Sequence, residues 1–293
     1  MERKIRKKTM SDIVKALEKK LPMLSKSQKI LAEYIISNCE KAAYMTAGRL
    51  SEKTGVSEST VVRFACEMGY SGYPSFQNAL KENVKTQMTT TQRMELALEK
   101  IGDNDILESV LKTDINFIEK TLDRIDRNEF KKAAAAISAA KRIYVTGVRS
   151  SAALANFAFF YLRLICDDVQ LINSTGGDGL FEQLLNVGKD DVVMGISFPR
   201  YSKNTIKALH YAKNNGATVI GITDSDASPI VAESGICLIA SSDTTSFVDS
   251  LAAPMSVINA LIVAVGMDNR DRMQINLEKL ERIWEEYEVY DKK

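Results

Sequence analysis

Ile143-Tyr-Val-Thr-Gly-Val-Arg-Ser-Ser151 is a β-branched run that ends on a glycine and passes into hydroxyl residues. Its first four residues read as a buried strand, and the glycine permits the sharp turn that joins a strand to a helix. Val169-Gln-Leu-Ile172, Val192-Val-Met-Gly-Ile196, Thr218-Val-Ile-Gly-Ile-Thr223 and Ile236-Cys-Leu-Ile239 follow the same plan. Each leads into a loop rich in Gly, Ser, Thr or Asp and then into a helical stretch. Such alternation implies a three-layer α/β unit, a five-stranded parallel sheet covered by helices on both faces. Ligands of such sheets bind beyond the carboxyl ends of the strands. The loops at 147–151, 173–179, 197–205, 223–228 and 241–249 are therefore the places to look.

Two of these loops carry the chemistry of an anion site. In the first, Gly147 lets the backbone turn, and Arg149, Ser150 and Ser151 follow at the start of a helix. In the second, Ser197-Phe-Pro-Arg-Tyr-Ser-Lys-Asn-Thr205 gathers Ser197, Arg200, Tyr201, Ser202, Lys203 and Thr205 at one strand end. Small hydroxyls, helix N-terminal amides and a cation are what a phosphate monoester needs. One such loop alone reads as a turn with a helix cap. Two at neighbouring strand ends point to a shared anion site. Arg149 stands where a second glycine would complete a G-x-G step, so the loop is not a dinucleotide fingerprint, and it is not a Walker loop.

Toward the N-terminus the pattern changes to short helices. Ser25-x-x-Gln28 is a capping box, followed by Ile30, Leu31, Tyr34 and Ile35 on one helical face. Ala47-Gly-Arg-Leu-Ser-Glu-Lys-Thr-Gly-Val-Ser-Glu-Ser-Thr-Val-Val-Arg-Phe-Ala-Cys66 then has the span of a helix-turn-helix. Gly55 suits the left-handed residue of the turn, and Ser51 is the small residue that lets the helices approach. Leu50, Val56, Val61 and Phe64 would hold the pair together. Thr54 is less apolar than that packing calls for. The second helix would present Ser57, Ser59, Thr60 and Arg63 to DNA, with Arg49, Lys53 and Tyr73 as phosphate contacts. Each has a plainer reading, Ser57 as a cap and Tyr73 as packing.

Charge agrees with this division. Residues 1–90 carry 16 Lys or Arg against 9 Asp or Glu, whereas the rest carries 23 against 29. A basic first third suits a polyanion partner. No run approaches the roughly 20 apolar residues of a membrane helix, so no membrane partner and a cytoplasmic location are expected. Cys39, Cys66, Cys166 and Cys237 have no C-x-x-C spacing, and the only histidine is His210, so no metal and no cofactor are expected. Leu107, Leu111, Ile115, Ile118, Leu122 and Ile125 form one stripe on a long helix, expected to pack on its own domain or on a second copy.

With these segments in hand, the sequence resembles the RpiR family of bacterial transcriptional regulators. The resemblance rests on Leu24-Ser-Lys-Ser-Gln-Lys-Ile-Leu-Ala32, on Ala47 to Phe64, and on Met68-Gly-Tyr-Ser-Gly-Tyr-Pro-Ser-Phe76. Further along, Gly147–Ser151, Ser197–Ser202 and Gly221-Ile-Thr-Asp-Ser-Asp-Ala-Ser-Pro229 are similar to motifs of a sugar isomerase (SIS) domain. It implies an all-α helix-turn-helix domain at 11–87, a linker and connecting helix at 88–125, a SIS domain at 126–272 and a C-terminal helix at 273–293. It also implies operator DNA and a phosphorylated sugar effector as partners, in a homodimer or homotetramer. Many SIS domains have Gly-x-Gly-x-Ser in the first loop and a shorter second loop, so Arg149 and Pro199-Arg-Tyr201 are departures. Two other readings are a sugar-phosphate isomerase and a regulator whose SIS domain only dimerises. An isomerase needs a positioned base, for which His210, Glu182, Asp178, Asp224 and Asp249 are the candidates.

Overall fold

All five β-branched runs pair side by side in the computed structural model, which describes residues 12–85, 89–101, 105–172, 179–242 and 248–291. The chain divides near residue 100 into two units, each with its own core. The 173–178 and 243–247 parts of two candidate loops, and with them Asp178, lie outside the described residues.

In the first unit the helices are α1 (Asp12–Lys20), α2 (Lys26–Ser37), α3 (Cys39–Ala42), α4 (Ala47–Thr54), α5 (Glu58–Glu67), α6 (Tyr73–Lys85) and α7 (Thr90–Ile101). Leu31, Ile35, Leu50, Val61, Phe64, Phe76 and Leu80 close its core. Phe76 meets the edges of Phe64 and Tyr70, which ties α6 to α5. At the start of α2 the Gln28 amide oxygen accepts from the Ser25 backbone N–H, as the capping pattern requires. Gln28 also donates to the Glu67 carboxylate at 2.7 Å, joining α2 to the end of α5.

The second unit begins with α8 (Ile106–Arg124) and α9 (Arg127–Ala139), followed by β1 (Arg142–Gly147), α10 (Ser151–Ile165) and β2 (Val169–Ile172). Next come α11 (Leu180–Gln183), β3 (Asp191–Ile196), α12 (Lys203–Asn214), β4 (Thr218–Thr223) and β5 (Ile236–Ile239). It closes with α13 (Ala252–Asp268) and α14 (Arg270–Glu286). The strands are all parallel, in the order β2-β1-β3-β4-β5. Successive side chains of a strand face opposite ways. Ile143, Val145, Met194 and Ile222 accordingly pack under α9, α10 and α13, while Tyr144, Val193 and Val219 pack under α11 and α12. No single helix among the described residues is long and apolar enough to cross a membrane.

The stripe on α8 is placed otherwise than self-packing would have it. Leu107, Leu111, Ile115, Ile118 and Leu122 remain 39–68% exposed. The side of α8 turned to its own domain is polar instead: Asp114 accepts from the Ser250 hydroxyl at 2.6 Å, and the Thr121 hydroxyl accepts from the Ser241 N–H at 2.8 Å.

At the amino end of the sheet, Asp191 is buried and accepts from Arg142 Nε at 3.0 Å, Arg142 Nη2 at 2.8 Å and the Gly188 N–H at 2.8 Å. Removing Asp191 takes two charge-assisted hydrogen bonds from Arg142 and leaves the Gly188 N–H without its acceptor. Asp191→Ala is therefore expected to cost about 3 kcal/mol, read as a lower urea midpoint of the second unit.

Candidate functional site

Two sites emerge, one in each unit. In the first, Thr46 caps α4 by accepting from the Arg49 N–H at 3.2 Å. Gly55 ends α4 at φ 70°, in the left-handed region, and its N–H returns to the Ser51 carbonyl. The Ser51 hydroxyl donates to the Val56 carbonyl, so the small residue closes the turn as well as making room. Ser57 then caps α5, accepting from the Thr60 N–H at 3.3 Å. Leu50, Val56, Val61 and Phe64 are buried, as a helix-turn-helix demands.

The outward face carries Ser57, Ser59, Val62 and Arg63 of α5 and Arg49 and Lys53 of α4, all exposed. Thr60 is half-buried, with its hydroxyl 2.8 Å from that of Ser57. Arg63 Nε donates to the Ser59 carbonyl at 3.4 Å, which lays the guanidinium along the outer face. Glu58 turns toward the first turn of α4, where its carboxylate sits 3.6 Å from where a Gly48 Cβ would lie. A carboxylate suits the positive end of a helix. Tyr73 is not on this face: it is 4% exposed, and its hydroxyl donates to the Met45 carbonyl at 2.7 Å. Gln77 donates to the same carbonyl at 2.6 Å, so α6 holds the residue just ahead of the α4 cap. Burial pushes the Tyr73 phenol up to about 12, so it remains a hydrogen-bond donor well into the alkaline range.

In the second unit the chain leaves β1 toward β2 on one side and leaves β3 toward β4 on the other. β1 and β3 are nevertheless neighbours, with Gly147 opposite Ile196. Their following helices cover opposite faces of the sheet, which opens a crevice between the two loops. Gly147 is required there. A Cβ on it would lie 2.6 Å from the Ser151 carbonyl oxygen and 3.2 Å from the Ala155 Cβ. Arg149 is exposed with φ 59°, left-handed backbone in a residue that has a Cβ. Ser150 donates to the Asp249 carboxylate at 2.7 Å, and Ser151 is buried in the first turn of α10.

Across the crevice, buried Ser197 accepts from the Ser202 N–H at 3.1 Å, and Ser202 caps α12 by accepting from the Thr205 N–H at 3.3 Å. Tyr201 donates to Asp224 at 2.9 Å, and Arg200 is exposed at the loop tip. The hydroxyls of Thr205 and Thr146 are buried with no hydrogen-bond partner among the described residues. Buried hydroxyls are nearly always satisfied, so these two stand out at this end of the sheet. Thr146 went unremarked in the sequence. The signal for it was there, a small hydroxyl near the carboxyl end of a buried strand. Of the candidate bases, Asp224 and Asp249 lie at the crevice, accepting from Tyr201 and Ser150. His210 faces outward on α12, 3.0 Å from Glu233 and 3.0 Å from Asn214, and Glu182 is exposed.

Comparison with known proteins agrees with both halves. The sequence matches the helix-turn-helix domain of the rpiR family over residues 11–87 and the SIS domain over residues 136–264. The chain belongs to the RpiR family. It is similar to the HTH-type transcriptional regulator HexR of Escherichia coli, with 25% identity over 94% of this chain and 95% of that one. The sugar isomerase domain of an RpiR transcription factor from Sphaerobacter thermophilus superposes with a TM-score of 0.58 at 26% identity, covering 60% of this chain and 98% of that one. NanR of Vibrio vulnificus, solved with ManNAc-6P, shares the fold at 20% identity and a TM-score of 0.57, covering 93% and 98%. The chain is thus a helix-turn-helix transcriptional regulator with a SIS domain.

A left-handed non-glycine residue costs roughly 1–2 kcal/mol. The extra unfolded-state freedom of glycine returns roughly 0.5–1 kcal/mol of that. Arg149→Gly is therefore expected to raise stability by about 0.5–1 kcal/mol, and differential scanning calorimetry of the two proteins checks it.

Proposed function

We propose that this regulator binds operator DNA through α4 and α5, and that a phosphorylated sugar in the β1–β3 crevice controls its affinity for that DNA. The observation that carries the ligand reading is the two buried, unmet hydroxyls of Thr146 and Thr205 at the end of the sheet where α10 and α12 start, the latter capped by Ser202. A phosphate dianion supplies acceptors for such donors, and a helix N-terminus favours its charge. In this reading Gly147, Ser150 and Ser151 bind from one side, and Ser197, Ser202 and Thr205 from the other. Arg149 and Arg200 supply positive charge, and Tyr201 orients the sugar. A dianion accepting from Ser150 takes over the place of Asp249, so filling the crevice moves a charged group. Control of DNA binding then equals the difference in ligand affinity between the two states of the protein.

DNA recognition follows from the exposed face of α5. Arg63 reaches a base edge or phosphate, Ser57, Ser59 and Thr60 contact the backbone at the helix start, and Arg49 and Lys53 neutralise phosphates. A homodimer or homotetramer acting in the cytoplasm would present two such faces to half-sites about one helical turn apart. His210 is held by Glu233 and Asn214 away from the crevice, and the carboxylates at the crevice, Asp224 and Asp249, accept from Tyr201 and Ser150, which supports binding over isomerisation.

Thermal unfolding against a panel of sugar phosphates, ManNAc-6P among them, tests the effector. The fitting member at 100 times its dissociation constant should stabilise the protein by ~2.7 kcal/mol. No shift with any member leaves the SIS domain as a scaffold only. A salt titration of DNA binding tests the other half. Lys53→Ala should lower the log–log salt slope by about one phosphate contact. Arg63→Ala should cost about 1–3 kcal/mol of affinity for the chain's own upstream region. Unchanged binding in both variants would remove this face from the interface.

A further inference from the structure

We propose that the exposed stripe of α8 is the seam between two copies of this chain, and that the two α8 helices run antiparallel across it. The inference rests on the multimeric state proposed above and adds to it a surface, an orientation and a register. At 100° per residue, Leu107, Leu111, Ile115, Ile118 and Leu122 fall within an arc of roughly 80°. All five are exposed, although they are the most apolar line on the helix. The neighbouring line, with Asp114 and Thr121, is the one spent on the helix's own domain. A soluble protein seldom leaves its apolar line outside and turns a polar one inward unless another surface covers the first.

The spacing of the stripe is that of a two-helix seam. From Leu107 to Leu122 the apolar residues step by four, four, three and four, and the last four of them place Ile115 and Leu122 at one core position and Leu111 and Ile118 at the other. The residues beside the seam on the side away from the home domain are Lys112 and Glu119, both exposed. On the near side lie Asp114 and Thr121.

These flanking charges choose the direction. If the helices ran parallel, Glu119 of each copy would lie beside Asp114 of the other, two like-charged contacts. Antiparallel helices instead layer Leu111 on Leu122 and Ile115 on Ile118 of the second copy. That register sets Lys112 of each copy against Glu119 of the other, so the twofold axis produces two ion pairs. Lys112 now pairs with Glu108 one turn back on its own helix, so its ammonium already lies on the exposed surface that the second copy would approach. The partner is therefore a second copy of this chain, whose charge pattern complements its own when run in reverse.

Two measurements on the full chain test this. Sedimentation equilibrium gives the mass and the dissociation constant. Lys112→Glu should weaken association about tenfold, and adding Glu119→Lys to it should restore the original value. Both positions are exposed, so neither change disturbs the fold. Cross-linking gives the direction. In an antiparallel pair Leu111 and Leu122 of opposite copies touch, while the two Leu111 residues lie ~16 Å apart along the axis. A chain carrying both Leu111→Cys and Leu122→Cys should form a disulfide-linked dimer beyond the background of the parent, and each single variant should not. A single Leu111→Cys chain that links to itself overturns the orientation. A stable dimer indifferent to the charge reversals overturns the surface while leaving the dimeric state intact. A monomer at all concentrations overturns both. None of these outcomes bears on the phosphosugar reading, which the thermal panel decides.

Discussion

The pairing of β1 with β3 is the constraint on which the ligand end of this protein depends. These strands are not consecutive in the chain, yet they share a full parallel register from Arg142–Asp191 to Gly147–Ile196. The Arg142–Asp191 bridge pins the amino end of that ladder, and both faces of the strands are sealed by apolar side chains. Because the chain winds away from the pair in opposite directions, two helix starts are left side by side with no strand between their loops. The crevice is thus a product of topology, and the hydroxyl residues only furnish it.

Close approach then sets the residue types. α10 comes so near the tip of β1 that only hydrogen fits on Cα of residue 147. Two residues later the chain needs a left-handed turn, and here an arginine adopts it. This cation therefore stands at the mouth of the loop at the expense of local backbone energy. On the far side, Ser197 and Ser202 satisfy backbone amides of their own loop, and the neighbouring Thr205 hydroxyl stays unmet. The second loop is shaped before anything binds in it.

Much of this was legible in the sequence, and the illegible parts share a cause. The five strands could be read because fully buried parallel strands must be apolar on both faces, which leaves uninterrupted β-branched runs. The helix-turn-helix could be read because its turn tolerates few residues at position 55. What a side chain does once two elements meet was harder to see. Tyr73 looked like a surface contact until α6 folded back and gave its hydroxyl the Met45 carbonyl. The α8 stripe has the period of a packed face, but period alone does not say which molecule the face packs against. Thr146 hid for a related reason, since a hydroxyl inside a strand looks ordinary until the described residues around it prove to give it no partner.

The doubly accepted carbonyl of Met45 has a mechanical consequence. Tyr73 and Gln77 grip it from successive turns of α6, and the next residue caps α4. The rings of Phe76 and Phe64 close the loop of contacts back to α5. A displacement of α6 would therefore pull on the start of α4 and on α5 together, so that these three helices shift as one body rather than separately.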